Sequence, residues 1–217
     1  MDTDSLLQCL SYLNYTAQGQ GQGITELVVP AATTIAGVLI GFYLNILREN
    51  NKQGAENKNK VLCITEDIER LSEAACHIFK EAAAHFYRLQ HGAKFGSHSF
   101  ASALSSPSVD KHFIEIANLY NREERHCIVE MNPIIGDLNT ILKDLRSFEK
   151  INDPRTLTRS LLNAVSRSMT LHTICEEFFL GKPESYHDLK SFAEKVELDP
   201  DHTRVLLLAA SHYPNGL

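Results

Sequence analysis

The chain has 217 residues, of which 43% are hydrophobic and 22% are charged, a composition typical of a globular protein and unlike that of a disordered one. Its formal net charge is −6, so a chain-wide basic surface for nucleic acid is excluded. The charge is unevenly distributed, because no Lys or Arg precedes Arg48.

The first predicted element is a transmembrane helix over residues 24–48, preceded by a short extracytoplasmic leader over residues 1–23. Residues 27–47 carry no charged side chain. At about 1.5 Å per residue this run spans about 31 Å as a helix, the thickness of a bilayer's hydrocarbon core. A cleaved signal peptide is one alternative, although it expects a basic segment near Met1. A buried helix of a soluble protein is the other.

The orientation of this span follows from the basic residues on its C-terminal side, which are Arg48, Lys52, Lys58 and Lys60. Positive residues stay on the cytoplasmic side of a membrane. We therefore predict a single-pass protein of the inner or plasma membrane, with its N-terminus outside and its C-terminal domain in the cytosol.

Small or hydrogen-bonding residues recur at every fourth position of the span: Thr33, Gly37, Gly41 and Asn45. Small residues at this spacing let two helix backbones approach closely in lipid. The stripe predicts association of the span with a second copy of the chain. The alternative is that glycine is simply frequent in membrane helices.

The remaining sequence predicts an all-α cytosolic domain over residues 61–217, after a polar connector over residues 49–60. Apolar residues alternate at spacings of three and four along a first helix over 61–90, with His85 in the same series. A second series runs from Phe113 to Phe148 with Pro133 inside it, so the element is either one kinked helix or two stacked helices. The unbroken phase across the proline favours the kinked helix.

The last helices are marked by local signals for their ends. Asp153 and Pro154 predict the start of a third long helix, and Gly181 predicts its end. Two shorter helices are predicted near 185–197 and 200–212, the latter opened by Asp199 and Pro200. No segment shows the alternation typical of a strand.

Metal and cofactor chemistry find no support in the sequence. The five cysteines have no CxxC spacing. A stable metal site needs three or four converging ligands, and the group of His85, His91 and His98 mixes helix and loop. Sequences of phosphate-binding loops and nucleophile elbows are also missing. We therefore predict no metal and no cofactor.

One short motif carries a possible chemistry, because Arg167 is followed five residues later by His172 within a predicted helix. This pattern resembles the signature of HEPN-type ribonucleases. The resemblance implies a metal-independent cleavage of RNA, in which two motifs face each other across a dimer. His172 would assist attack by a ribose 2′-hydroxyl and Arg167 would balance the phosphate charge. The alternative is a surface arginine and a partly packed histidine.

A local basic cluster lies where the second and third long helices meet, and it consists of Lys143, Arg146, Lys150, Arg155 and Arg159. It is a candidate contact for nucleic acid, since phosphates attract Lys and Arg. Asp144, Glu149 and Asp153 lie among these residues and weaken that attraction. A solvated helix junction is therefore the alternative.

The overall layout resembles single-span helical membrane proteins of prokaryotic antiviral defence, including those that accompany RNA-targeting CRISPR effectors and carry divergent HEPN-like domains. The resemblance implies a homo-oligomer that weakens the membrane, with a defence-system protein or RNA as a further partner. Three functions are therefore open. They are an oligomeric membrane effector, which we favour, a membrane-tethered ribonuclease, and a non-catalytic adaptor.

Overall fold

Helices are the only regular secondary structure in the described part of the chain. The computed structural model describes residues 8, 11, 24–95, 100, 103–147, 153–181 and 188–212. From residue 24 onward these form six α-helices: α1 (Ile24–Gln90), α2 (Pro107–Ile116), α3 (Arg122–Ser147), α4 (Pro154–Leu180), α5 (Leu189–Lys195) and α6 (Pro200–His212). They divide between two compact units, Met1–Asn57 and Lys58–Leu217. Most of the predicted leader lies outside the described residues.

Helix α1 is continuous through residues 49–60, so the helix predicted over residues 61–90 begins earlier and includes the polar stretch given above as a connector. This stretch consists mainly of Glu, Lys, Asn and Gln, with Gly54 as its only strong helix breaker. Lys52 and Glu56 also lie one turn apart, with their charged atoms 3.9 Å from each other. The polar residues at 49–60 therefore form the solvent-exposed surface of a helix.

The core of the second unit contains the apolar series predicted for the first cytosolic helix. Its buried members on α1 are Ile64, Ile68, Leu71, Ala75, Ile78 and Ala82, together with His85. Val61 and Leu89, at the two ends of the series, are partly buried against the same core. Phe79 lies beside this series and packs edge-to-face on Phe192 of α5, with ring centroids 4.8 Å apart.

The second predicted helix is two helices, and the break lies at residues 117–121, far from Pro133. A 3-10 turn over Ala117–Leu119 follows α2, and Tyr120 is extended. Asn121 and Glu124 then exchange hydrogen bonds of 2.8 Å between side chain and backbone N–H, a capping box that starts α3. Helix α3 continues through Pro133, as the unbroken apolar series predicted.

Helix α4 has the predicted bounds. The Asp153 side chain accepts hydrogen bonds from the backbone N–H groups of Arg155 and Thr156, and Gly181 ends the helix at a left-handed φ of 60°. Helices α3 and α4 pack along each other in an antiparallel hairpin, in which Asp137 of α3 pairs with Arg167 of α4. Leucines at positions 138, 142, 145, 157, 161 and 162 are buried in this hairpin.

Two long-range hydrogen-bond sets hold the segment before α2. The buried Asp67 of α1 accepts from the backbone N–H of Ser108 at 2.6 Å and from Arg70 at 3.0 Å, so it caps α2. The Asn139 amide pairs with both backbone groups of Leu104, at 2.7 Å and 2.9 Å. These contacts fix an irregular segment on the helical core.

Candidate functional site

The N-terminal half of α1 has an unusual surface for a protein in water. Every residue from 32 to 50 is exposed, including Leu39 at 62% and Phe42 at 58%. Among the described residues, this is the one helix long and apolar enough to cross a membrane, and none of its apolar window is buried. Because a core helix of a soluble protein is mostly buried, this exposure does not fit that alternative.

The predicted association stripe lies on this exposed surface. Thr33, Gly37, Gly41 and Asn45 are all exposed. A Cβ atom added at Gly37 or Gly41 would meet no atom within 4 Å. The two glycines therefore contact no side chain of the described residues, and this surface is open to another helix.

Arg167 takes part in a surface ion pair. Its guanidinium lies 3.3 Å from the Asp137 carboxylate, and both side chains are about half exposed, at 48% and 53%. A pair with this exposure contributes little to stability, typically about 0–1 kcal/mol. Arg167 thus faces α3.

His172 lies in a different environment, turned toward α1 and α5. Its Nδ1 atom is 2.9 Å from the Ser72 hydroxyl oxygen of α1, and its Nε2 atom is 3.4 Å from a carboxylate oxygen of Glu176. Its ring meets Phe192 edge-on, with centroids 5.3 Å apart. The side chain is only 12% exposed. Within one chain, the structure therefore does not bring Arg167 and His172 together.

The group around His172 includes residues that the sequence analysis did not single out. Glu176 also pairs with Lys195 at the end of α5, so Ser72, His172, Glu176 and Lys195 form one connected set. Glu176 lies one turn after His172 and was detectable from its spacing. Ser72 is 100 residues away in sequence, so no local pattern indicates it.

A serine, a histidine and a carboxylate in contact invite comparison with a hydrolase triad. That chemistry needs free N–H donors to hold a developing oxyanion. Ser72 lies in the interior of α1, where backbone N–H groups bond within the helix. Phe192 also covers the edge of the imidazole. The arrangement ties α4 to α1 and α5, and it offers no described place for a substrate carbonyl.

The basic cluster is exposed at the adjoining ends of α3 and α4. Lys143, Arg146, Arg155 and Arg159 are exposed, and none forms an ion pair with a described residue, while Lys150 lies outside the described residues. The nearby Asp153 carboxylate is used as a helix cap. The Thr156 hydroxyl and the Arg155 N–H bond to it and lower its pKa. Asp144 remains exposed within the cluster.

The buried thiols are unreactive. Cys127 and Cys175 lie on facing helices of the α3–α4 hairpin, and burial raises the pKa of both, that of Cys175 to about 12. Within the described residues, no three His, Cys, Asp or Glu side chains converge in a way that could hold a metal ion. The thiolate needed for redox or metal chemistry is thus disfavoured at this pair.

The chain matches no protein-family model, no curated protein and no solved structure. Its function is therefore argued from its own surfaces and contacts.

Proposed function

We propose that this protein is a membrane-anchored oligomeric effector, which assembles through its span and perturbs or permeabilises the membrane. One observation carries the proposal: a helix segment over residues 32–47 that has no charged side chain, is largely apolar, and is exposed along its whole length. An apolar surface of this extent is unfavourable in water and favourable in lipid. A helix also satisfies its backbone hydrogen bonds internally, as a membrane span must.

The oligomeric part of the proposal rests on the open stripe. In lipid, helices associate through close packing at small residues, since no hydrophobic drive acts between them. Gly37 and Gly41 offer such a surface, and Asn45 adds a hydrogen-bonding side chain to it. A single helix cannot enclose a pathway across a bilayer, so an effect on permeability requires several copies. Antiviral defence is the setting in which such a layout is expected.

The other hypotheses find less support in the geometry. A tethered ribonuclease needs Arg167 and His172 to reach one phosphate, whereas His172 is largely buried between α1 and α5. A non-catalytic adaptor would need a partner protein that binds the helical domain. An oligomeric effector could bind such a partner as well, so this requirement does not separate the two hypotheses. The effector hypothesis is based on the exposed apolar surface of α1 over residues 32–47, which differs most from the surface of an ordinary soluble protein.

The test is a double substitution, Gly37→Leu with Gly41→Leu, in the full-length protein. Because no atom lies within 4 Å of either added Cβ, the leucines leave the fold of the single chain intact and obstruct only contact between copies. We expect the detergent-extracted protein to change from an oligomer to a monomer in light scattering. Release of a dye from liposomes should be lost at the same time.

Ala36→Leu is the control, because it places a leucine about 100° away from Gly37 around the helix. This variant should keep the wild-type size and the wild-type leakage. A double leucine variant with unchanged oligomer size and unchanged leakage would contradict the proposal.

A further inference from the structure

His172 lies where three helices of the second unit meet. It belongs to α4, its Nδ1 atom is 2.9 Å from the Ser72 hydroxyl oxygen of α1, and its ring contacts the Phe192 ring of α5. Histidine is the side chain that ordinarily gains or loses a charge between about pH 5 and about pH 8. A proton on this one ring therefore changes the contacts of all three helices at once.

Both ring nitrogens of His172 face oxygen atoms. The Nε2 atom is 3.4 Å from Oε1 of Glu176. The Nδ1 atom is 3.2 Å from the backbone carbonyl oxygen of Ser72, in addition to its contact with the hydroxyl oxygen. A carboxylate and a carbonyl only accept hydrogen bonds, whereas a hydroxyl also donates. The surroundings of the ring are therefore rich in acceptors.

A neutral imidazole cannot match this set of acceptors, because it carries only one N–H. With the proton on Nδ1, the lone pair of Nε2 faces the Glu176 carboxylate. With the proton on Nε2, the lone pair of Nδ1 faces the Ser72 carbonyl, and only the Ser72 hydroxyl can donate to it. The imidazolium form donates from both nitrogens, and a charge-assisted bond to a carboxylate is the stronger kind.

The Glu176 carboxylate has one oxygen for each of two basic side chains. Its Oε2 atom accepts from Lys195 of α5, and its Oε1 atom faces His172. The charge of Lys195 and the burial of the ring beside Phe192 both oppose a proton on His172. Lys195 is 34% exposed, so water screens its charge, while Glu176 contacts the ring directly.

Other charged groups on the neighbouring helices are farther from the ring or paired elsewhere. On α1, Glu69 and Cys76 lie one turn from Ser72, and Glu69 is exposed. On α5, Lys190 and Glu194 pair with each other at 3.9 Å. Within the described residues, a proton on the ring therefore interacts mainly with the carboxylate on α4 and the serine on α1.

We propose that His172 is a pH-sensitive switch, which attaches α4 to α1 and α5 more strongly when its ring is protonated. Protonation adds a donor toward Ser72 and strengthens the bond to Glu176, which in turn holds Lys195. The stabilisation is present at low pH and is lost as the pH rises. All of these residues belong to the second unit, so the inference does not depend on the proposed function.

The experiment compares thermal unfolding of the full-length protein in detergent at about pH 8 and about pH 6, for wild type and His172→Gln. Glutamine keeps a polar side chain at this position but does not titrate. We expect the wild type to gain about 3 °C in Tm relative to the variant between the two conditions, because its folded state holds the proton better than the unfolded chain does.

His126→Gln is the matched control. His126 also pairs with a glutamate one turn later, Glu130, at 3.2 Å, but its side chain is 70% exposed. Its Tm difference from wild type should change by less than about 1 °C, since an exposed pair contributes little. Equal changes in the two variants would overturn the switch, as would a His172 difference that stays constant or shrinks at the lower pH.

A second measurement decides the question if His172→Gln does not fold. Nitrogen NMR of the wild-type protein, labelled at histidine, reports the protonated fraction of each ring. The contact with the Phe192 ring identifies His172. At about pH 7 we expect a larger protonated fraction for His172 than for His126, and an equal or smaller fraction would overturn the switch.

Discussion

The two units of the protein use the same kinds of side chain in opposite surroundings. In the first, Phe42 and Leu39 are exposed by 58% and 62%; in the second, Phe79 and Leu71 are exposed by 0% and 2%. The helical bundle supplies an apolar environment from its own residues. Among its described residues the first unit supplies no such neighbours, so this apolar surface is left exposed. Burial within the chain therefore distinguishes this exposed apolar helix from the core helices, which hydropathy alone does not.

The largest expected effect comes from charging the exposed apolar helix, with Leu39→Arg and Ile40→Arg together. Each arginine near the centre of a membrane helix costs about 2.5–3.5 kcal/mol on the insertion scale. We expect the double variant to leave the membrane fraction after alkaline extraction. Leu39→Ile with Ile40→Leu is the matched control and should remain there. Retention of the double arginine variant would show that this helix does not span a membrane.

A smaller effect is expected from removing one aromatic ring from each unit. Phe79→Ala leaves a cavity beside Phe192 and should lower the free energy of unfolding by about 3–5 kcal/mol. Phe42→Ala opens no cavity in the chain, because its side chain is exposed. Urea unfolding of the full-length protein in detergent measures both. Equal losses in the two variants would contradict the contrast between the units.

The smallest effect concerns two carboxylates of the second unit with opposite pKa shifts. Burial, and then the charge of Glu130, raise the pKa of Glu177, because both disfavour its ionised form in the folded protein. The folded state is therefore favoured while Glu177 is protonated, and this stabilisation is lost as the pH rises through the raised pKa. The hydrogen bond from Lys60 lowers the pKa of Glu115, because it favours the ionised carboxylate in the folded protein. The stabilisation that Glu115 provides is therefore lost as the pH falls through the lowered pKa. Between about pH 4 and about pH 7, thermal unfolding should show Glu177→Gln becoming more stable than wild type and Glu115→Gln less stable. The same sign of change in both variants would contradict this assignment.

Much of the fold was predictable because its signals are local. Asp153, Pro154 and Gly181 mark the bounds of α4 through a cap, a first-turn proline and a left-handed end. The apolar series on α1 was also predictable, since burial follows the helical repeat.

The features that could not be predicted depend on contacts between distant segments. The break before α3 is an exception, because its signal is local: Asn121 and Glu124 form a capping box three residues apart, although no proline or glycine marks the break and the apolar phase continues across it. The cap of α2 comes from Asp67, 41 residues away from Ser108. The environment of His172 depends in the same way on Ser72 and Phe192. The HEPN-like spacing contained no information about either neighbour.

The Asn139 amide that pairs with both backbone groups of Leu104 gives this segment an unexpected kinetic property. Leu104 belongs to no helix, yet its N–H is hydrogen-bonded and the residue is only 6% exposed. Its amide proton can exchange with solvent deuterium only after the segment lifts away from α3. The exchange rate at this single position therefore reports the detachment of the segment before α2 from α3. We expect the exposed Ala103 and Ser105 to exchange faster.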